Sequence, residues 1–229
     1  MKEYPFYCGG SFISSDTSLK VSNPYNGEII GETFLASPSH LETAIHAALA
    51  TEEELKNLPS FIRYEILMQI AKHLENEKGK FSTLLCLESA KPLKYAEGEI
   101  NRAIQTFIVA AEESKRIPKE YISLDWTSAG EGKEGLVKYC PVGPVAGISP
   151  YNFPMNLAVH KIAPAIASGC PIVLKPSSST PLSTLELAKI IDQTILPKGA
   201  VSILPMDRET GNLLVTDDRF KLLTFTGSP

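Results

Sequence analysis

The chain has 229 residues, of which 43% are hydrophobic and 21% charged, so it is long and apolar enough for one large globular domain or two small ones. Its net charge of −4 argues against a nucleic-acid partner, because phosphate binding requires a basic surface. It contains no apolar run near the roughly 20 residues of a membrane span, and its first residues lack the apolar stretch of a signal peptide.

The four cysteines, Cys8, Cys86, Cys140 and Cys170, form neither a CxxC pair nor a metal-ligand spacing. A catalytic thiol needs a nearby cation or a helix N-terminus to lower its pKa, and the sequence places neither beside any of the four. We therefore interpret them as buried thiols of a cytoplasmic protein without a metal centre.

The first 117 residues predict short strands followed by helices. Residues 9–36 alternate apolar segments with turn signals, including Asn26-Gly27, and this pattern is typical of an antiparallel meander. Ser37 followed by Pro38 predicts a helix start, with serine as the cap and proline at the first helical position. Apolar residues at helical spacing predict three further helices, around 62–74, 81–89 and 92–115.

Residues 118–140 predict a β-hairpin with a glycine-rich turn. The turn, Gly130 to Gly135, formally matches GxGxxG, but a dinucleotide fingerprint must open a helix and strand-like residues follow here. Two glutamates within the turn would also repel phosphate. We interpret this segment as a solvated hairpin tip or an arm that contacts a partner.

From residue 141 onward the pattern predicts an α/β fold. Continuous apolar strands at 145–149, 171–175, 200–204 and 221–225 are separated, at first, by helices at 156–168 and 182–195. This alternation indicates a parallel sheet with helices on both faces. Ligands bind at the carboxyl ends of such strands, so the residues after each strand are the candidates for function.

Three strand ends carry candidate residues. Asn152, which lies between prolines and aromatic residues, either caps the next helix or donates a hydrogen bond to a developing oxyanion. Lys175 ends an apolar strand and either extends to solvent or contacts a ribose or phosphate. Thr226-Gly227-Ser228 follows the last strand as an anion-binding turn, but no helix follows it.

Residues 140–182, with FTGS at the end of the chain and NPYNGEII near its start, closely resemble the aldehyde dehydrogenase superfamily. The resemblance covers essentially the whole chain and corresponds to the cofactor-binding half. It implies a Rossmann-like NAD(P)-binding domain formed by 1–117 and 141–229, incomplete at its C-terminus, and a hairpin arm at 118–140 through which relatives dimerise or form tetramers. It assigns Asn152 to the oxyanion hole, and Lys161 stands at a position that is often lysine in the family. The residues it assigns to cofactor binding are Ser149, Pro150, Tyr151, Lys175, Ser177, Ser178, Gly227 and Ser228.

Two departures from the family pattern change the expected function. Many NAD-using relatives have a glutamate where this chain has Ser178, and a carboxylate would repel a 2′-phosphate, so we expect NADP to be accepted at least as well as NAD. The family's catalytic cysteine and glutamate lie C-terminal to FTGS, so this chain alone is expected to be inactive. The resemblance implies an aldehyde substrate, and Met155-Asn156 is similar to relatives that act on lactaldehyde or glyceraldehyde 3-phosphate. Two alternatives stay open: a non-catalytic nucleotide-binding or interaction module, and a reductase that acts on acyl phosphates.

The resemblance also bears on the aldehyde pocket and on stability. It implies that the aldehyde pocket is lined partly by Phe153, Met155, Asn156 and His160. Arg208 is a possible second phosphate contact. The strand at 221–225 is expected to be an uncovered edge, which predicts weak stability and self-association.

Overall fold

A six-stranded sheet lies at the centre of the structure, a computed structural model that describes residues 1–227. Within these residues the strands are β1 (Glu3–Tyr4), β2 (Phe6–Cys8), β3 (Ser11–Ile13), β4 (Ser18–Ser22), β5 (Ile29–Phe34), β6 (Lys119–Ser123), β7 (Glu134–Lys138), β8 (Val145–Ile148), β9 (Ile172–Lys175), β10 (Val201–Ile203) and β11 (Leu222–Phe225). The helices are α1 (Pro38–Asn57), α2 (Ser60–Asn76), α3 (Lys78–Ser89), α4 (Leu93–Ser114), α5 (Pro154–Ser168), α6 (Leu182–Asp192) and α7 (Arg208–Thr216).

The central sheet has the order β11-β8-β9-β10-β2-β3. Its first four strands are parallel, whereas β2 and β3 pair antiparallel at the other end. β9 and β10 are nearly or fully buried along their length, as expected for strands covered on both faces. The predicted α/β fold with a Rossmann-like parallel sheet is therefore confirmed.

The helices pack around one continuous apolar core. α4 packs against α2, α3 and α5, and α6 contacts α2, α3 and α5. The largest fully buried side chains include Phe6, Phe81 and Phe107, which come from β2, α3 and α4. The N-terminal helices therefore share a core with the sheet. Within residues 1–227, no helix has the length and apolar character needed to cross a membrane.

The predicted helix starts and strands agree well with the structure, with two exceptions. α1 begins at Pro38, and the Ser37 side chain accepts a hydrogen bond from the backbone of the third helical residue, as predicted. α7 was not predicted. The antiparallel meander predicted over residues 9–36 is only partly correct, because β4 and β5 pair antiparallel whereas β3 pairs with β2 in the central sheet. All three residues of β2 are buried, and β2 pairs with β10 as well, so β3 extends the core sheet through β2.

The hairpin and the last strand have the predicted character. β6 and β7 pair antiparallel, and a short 3₁₀ helix, Ser128–Gly130, lies in the connecting loop. A Cβ on Gly130 would lie 1.8 Å from the backbone oxygen of Leu124, so glycine is required there for close packing. The glycine-rich loop leads into β7 and opens no helix. β11 is an edge strand with Leu222 and Phe225 about half exposed, as expected.

Candidate functional site

The order of the parallel strands creates a crevice beside β8. The chain runs from β8 through α5 to β9, and then through α6 to β10. These three strands follow one another in one direction across the sheet. After α7 it returns to the opposite side of β8 to form β11. The strand order therefore reverses between β8 and β11, and such a reversal is where open α/β sheets bind ligands, outside the carboxyl ends of the strands.

Backbone hydrogen bonds align the three strand ends at this edge. The Ser149 amide donates to the Lys175 carbonyl at 3.1 Å, and the Thr226 amide donates to the Ile148 carbonyl at 3.2 Å. Candidate segments that are far apart in the sequence therefore begin at one level of the sheet. Ser149 is buried, and its hydroxyl has no hydrogen-bond partner within residues 1–227.

The Asn152 turn joins β8 to α5. The Asn152 Oδ1 accepts a hydrogen bond from the Phe153 amide at 3.1 Å, whereas its Nδ2 group makes no hydrogen bond within residues 1–227. Asn152 does not cap α5, since Phe153 occupies the cap position without a side-chain bond. Tyr151 is 66% exposed and Phe153 is 37% exposed, so residues 1–227 do not by themselves shield Asn152 as expected. Its free amide group is a hydrogen-bond donor at the crevice.

A buried carboxylate from α4 caps α5 in place of a local residue. The Glu99 Oε1 accepts hydrogen bonds from the amides of Met155 and Asn156 at 3.0 and 3.1 Å. Its Oε2 forms an ion pair with Lys91, and Lys91 Nζ also donates to the Asn152 carbonyl at 3.0 Å. The sequence reasoning missed both charged residues.

Lys175 lies half-buried between the sheet and α7. A Cβ on Gly211 of α7 would lie 3.2 Å from Lys175 Cε, so the lysine stem packs closely against that helix. Burial lowers the pKa of Lys175, and the nearby Asp207 carboxylate partly offsets this effect. Asp207 itself caps α7 by accepting from the Thr210 amide at 2.8 Å. Lys175 is therefore a partly desolvated cation positioned by an element that was not predicted.

The loop after Lys175 presents hydroxyl groups. The Ser177 and Ser179 hydroxyls are 2.9 Å apart, and Ser178 is exposed. The loop leads into α6, where the buried Glu88 accepts hydrogen bonds from the amides of Leu182 and Ser183 at 2.7 and 3.1 Å. Glu88 thus caps α6 as Glu99 caps α5.

The turn after β11 is held by Lys161 of α5. Lys161 Nζ donates to the Thr226 hydroxyl at 2.7 Å, and burial lowers the pKa of this lysine. A Cβ on Gly227 would lie 2.5 Å from the Phe225 ring, so a side chain there would require a shift. Ser228, the other residue predicted in this turn, lies outside the described residues.

A cationic surface adjoins the Asn152 turn. The Arg102 guanidinium lies 5.5 Å from the centre of the Phe153 ring and makes no salt bridge within residues 1–227. Burial, and then the charges of Arg102 and Lys161, lower the pKa of His160. His160 also borders an apolar groove of about 560 Å³ between α4 and α5.

The thiols of residues 1–227 lie at the amino ends of the strands or have a pKa that burial raises. Cys140 and Cys170 precede β8 and β9, at the amino ends of the strands, and Cys140 is exposed rather than buried as expected. Burial raises the pKa of Cys8 to about 11, and it also raises the pKa of Cys86. Residues 1–227 contain no group of three side chains arranged to hold a metal ion.

Comparison with known proteins identifies the family. The model of the aldehyde dehydrogenase family matches residues 12–229. The 3-sulfolactaldehyde dehydrogenase of Priestia aryabhattai is 35% identical over 231 residues, which cover 100% of this chain and 48% of that protein. Aldehyde dehydrogenase 21 of Physcomitrella patens, solved with the reaction product succinate, has a TM-score of 0.96 and 44% identity over 99% of this chain and 48% of its own.

A third similar structure contains a cofactor. NADP-dependent glyceraldehyde-3-phosphate dehydrogenase from Bacillus halodurans, complexed with NADP, has a TM-score of 0.95 and 29% identity over 100% of this chain and 49% of its own. The chain spans about half the length of the curated relatives it matches. The family match extends over nearly all of its residues, and the chain belongs to the aldehyde dehydrogenase family.

Proposed function

We propose that the chain is the cofactor-binding half of an NAD(P)-dependent aldehyde dehydrogenase. The observation that carries this proposal is the alignment of Asn152, Lys175 and the Thr226-Gly227 turn at the carboxyl edge of three adjacent parallel strands. In a doubly wound sheet this edge holds the dinucleotide.

Each candidate residue has a distinct task in this proposal. The Asn152 Nδ2 donates to the oxygen of the reacting aldehyde, whose negative charge grows when a thiolate attacks the carbonyl carbon. Lys175, with Ser177 and Ser178, binds the adenosine ribose and its substituent. Ser149, Pro150 and Tyr151 line the path of the cofactor, and Gly227 and Ser228 contact the pyrophosphate.

The cofactor, when bound, accepts the hydride that leaves the substrate carbon. We also propose that the thiol that forms the covalent adduct is not among those of residues 1–227, because burial raises the pKa of Cys8 and of Cys86 and because Cys140 and Cys170 lie at the opposite ends of the strands. We therefore expect this chain alone to bind cofactor without oxidising aldehydes. We also propose that the hairpin arm, residues 118–140, joins subunits into a dimer or tetramer, because Tyr121 and Trp126 are exposed on it.

NADP is proposed to bind at least as well as NAD because Ser178 is exposed, uncharged and close in sequence to Lys175. The test is calorimetric titration of the chain with each cofactor, compared with Ser178→Glu and with Ser14→Glu, at an exposed serine outside this loop, as the matched control. We expect Ser178→Glu to weaken NADP binding at least about tenfold and NAD binding little, since a carboxylate repels the 2′-phosphate. Equal effects on both cofactors, or NAD preference in the unsubstituted chain, would refute this assignment.

The substrate is proposed to be a short aldehyde that carries an anionic group. Arg102 makes no salt bridge within residues 1–227 and lies beside Phe153, the residue that follows Asn152, so we propose that it pairs with a carboxylate, sulfonate or phosphate of the substrate. The similar proteins named above act on sulfolactaldehyde or glyceraldehyde 3-phosphate, or were solved with succinate as product.

A comparison of matched aldehydes in the complete enzyme tests this substrate class. We expect kcat/KM for succinic semialdehyde to exceed that for butyraldehyde, and Arg102→Met to reduce the first at least about tenfold while leaving the second nearly unchanged. A neutral hydroxyaldehyde as the best substrate, with no effect of Arg102→Met, would contradict it.

A further inference from the structure

Two oppositely charged side chains lie beneath the turn that carries Asn152. Glu99 is fully buried and the Lys91 side chain is only 13% exposed. Taking both charges out of water is costly, and a hydrophobic pair of similar volume is often as stable. Their presence therefore calls for a role beyond filling space.

Glu99 holds the far side of the turn. Its Oε1 accepts from the amides of Met155 and Asn156, in the first turn of α5. A serine or aspartate at the cap position would satisfy these donors locally. Here the acceptor comes from α4, more than fifty residues earlier in the chain, so the bond also fixes the start of α5 relative to α4.

Lys91 holds the near side of the turn. Its Nζ pairs with Glu99 Oε2, donates to the Asn152 carbonyl at 3.0 Å and lies 4.3 Å from the centre of the Phe153 ring. One cation therefore contacts the carboxylate that caps α5, the backbone of Asn152 and the ring that follows it. With the carbonyl of Asn152 and its Oδ1 both engaged, Nδ2 is the remaining polar group of that side chain.

We propose that Lys91 and Glu99 act as a positioning pair that holds the Asn152 turn in the geometry needed to donate to the oxyanion. A donor aids catalysis in proportion to how well it is fixed before the reaction, because no energy is then spent on reorienting it. The statement about catalysis rests on the function proposed above, whereas the statement that the pair immobilises the turn does not.

Hydrogen exchange of the chain, read by mass spectrometry, tests the immobilisation directly. The informative variant is Lys91→Met combined with Glu99→Gln, which removes both charges together and keeps an amide oxygen able to accept from Met155 and Asn156. This avoids the buried, unpaired charge that either single substitution leaves. Lys94→Met is the matched control, because Lys94 is an exposed lysine in the first turn of α4, three residues after Lys91.

We expect exchange in peptides covering 153–156 to rise at least about tenfold in the double variant, because the amides of Met155 and Asn156 lose their charged acceptor and the Phe153 amide lies in the released turn. Exchange in the buried part of α4 should stay unchanged. The single variant Lys91→Arg keeps the positive charge beside Glu99, so its turn should exchange as slowly as that of the unsubstituted chain. A purely structural pair would instead raise exchange throughout α4 and α5 together. Unchanged exchange at 153–156 in the double variant overturns the proposal.

Kinetics of the complete enzyme test the consequence. The kcat of the double variant should be at least about tenfold lower than that of the unsubstituted enzyme, with the KM for the cofactor unchanged. The single variant Lys91→Arg should keep a kcat close to that of the unsubstituted enzyme. Faster exchange with unchanged kcat would overturn the positioning role. An unsubstituted enzyme without dehydrogenase activity would count against the proposed function, and the exchange data would still decide whether the pair holds the turn.

Discussion

Glu88 should make the stability of the chain fall as pH rises through neutrality. This carboxyl group is completely buried where α3 ends, and its two oxygens accept from the Leu182 and Ser183 amides. Burial raises its pKa from 4.5 to about 7, the nearby Glu99 charge adds to the rise, and the hydrogen bonds offset only part of it. The folded chain holds this proton more tightly than the unfolded chain. The contribution of Glu88 to the free energy of unfolding is therefore greatest below pH 4.5 and is lost as the pH rises through 7.

The loss is about 3 kcal/mol, since each pKa unit between the folded and unfolded states is worth about 1.4 kcal/mol. The variant Glu88→Gln cannot ionise and should lack this fall with pH. Its amide has only one acceptor oxygen, so it should lose about 1 kcal/mol at every pH. The lowered pKa of His160 has the opposite sign, because stability rises with pH as that histidine loses its proton, but it is common to both proteins and cancels in their difference.

Urea denaturation at pH values from about 4 to 8 measures this difference. The free energy of unfolding of the unsubstituted chain, minus that of Glu88→Gln, should fall by about 3 kcal/mol as the pH rises across this range. Glu54→Gln is the control, because Glu54 is exposed and makes no ion pair within residues 1–227. Parallel pH profiles for the chain and Glu88→Gln would show that Glu88 keeps an ordinary pKa in the fold and would refute the reasoning.

Two further predictions concern the ends of secondary-structure elements. Ser37→Ala should lower the free energy of unfolding by about 1 kcal/mol, because it removes the cap of α1, whereas Ala at the exposed Ser14 should have almost no effect in the same urea titration. Leu223→Lys should reduce self-association of the chain in sedimentation velocity, because β11 is an edge strand with exposed apolar residues. Lysine at the exposed Leu213 of α7 is its control, and an equal effect there would point to net charge rather than to the strand edge.

Local signals in the sequence account for most of the fold. The Ser37-Pro38 start of α1 and the apolar strands before Ser149 and Pro176 are set by neighbouring residues, so they could be predicted. The pairing of β2 with β10 could not, because the two strands are almost 200 residues apart and nothing local distinguishes this partner from a surface meander. α7 was missed because its apolar residues are few and only Leu214 is fully buried.

The edge of the sheet at which the candidate residues lie could also be predicted, but not the contacts that hold them. Residues after neighbouring parallel strands must lie at one edge, so Asn152 and Lys175 could be placed at the same edge of the sheet without any contact between them. Glu99 was missed because its partners lie more than fifty residues away. One signal was present: Glu99 lies three residues after Ala96 and four before Ala103, so it occupies the buried face of α4, where an ionised residue requires a partner.

The caps of the helices also explain why this Rossmann-like sheet has no regular glycine fingerprint after its first parallel strand. A helix N-terminus normally supplies the free amides that bind a pyrophosphate. Here the amides at the start of α5 are taken by Glu99, those of α6 by Glu88, and one at the start of α7 by Asp207. A phosphate at α5 or α6 would have to displace a buried carboxyl group that already accepts hydrogen bonds from these amides. In the proposed function, the anion-binding contacts therefore move to the turn after β11, where Thr226 is held by Lys161 and Gly227 has no side chain to obstruct a ligand.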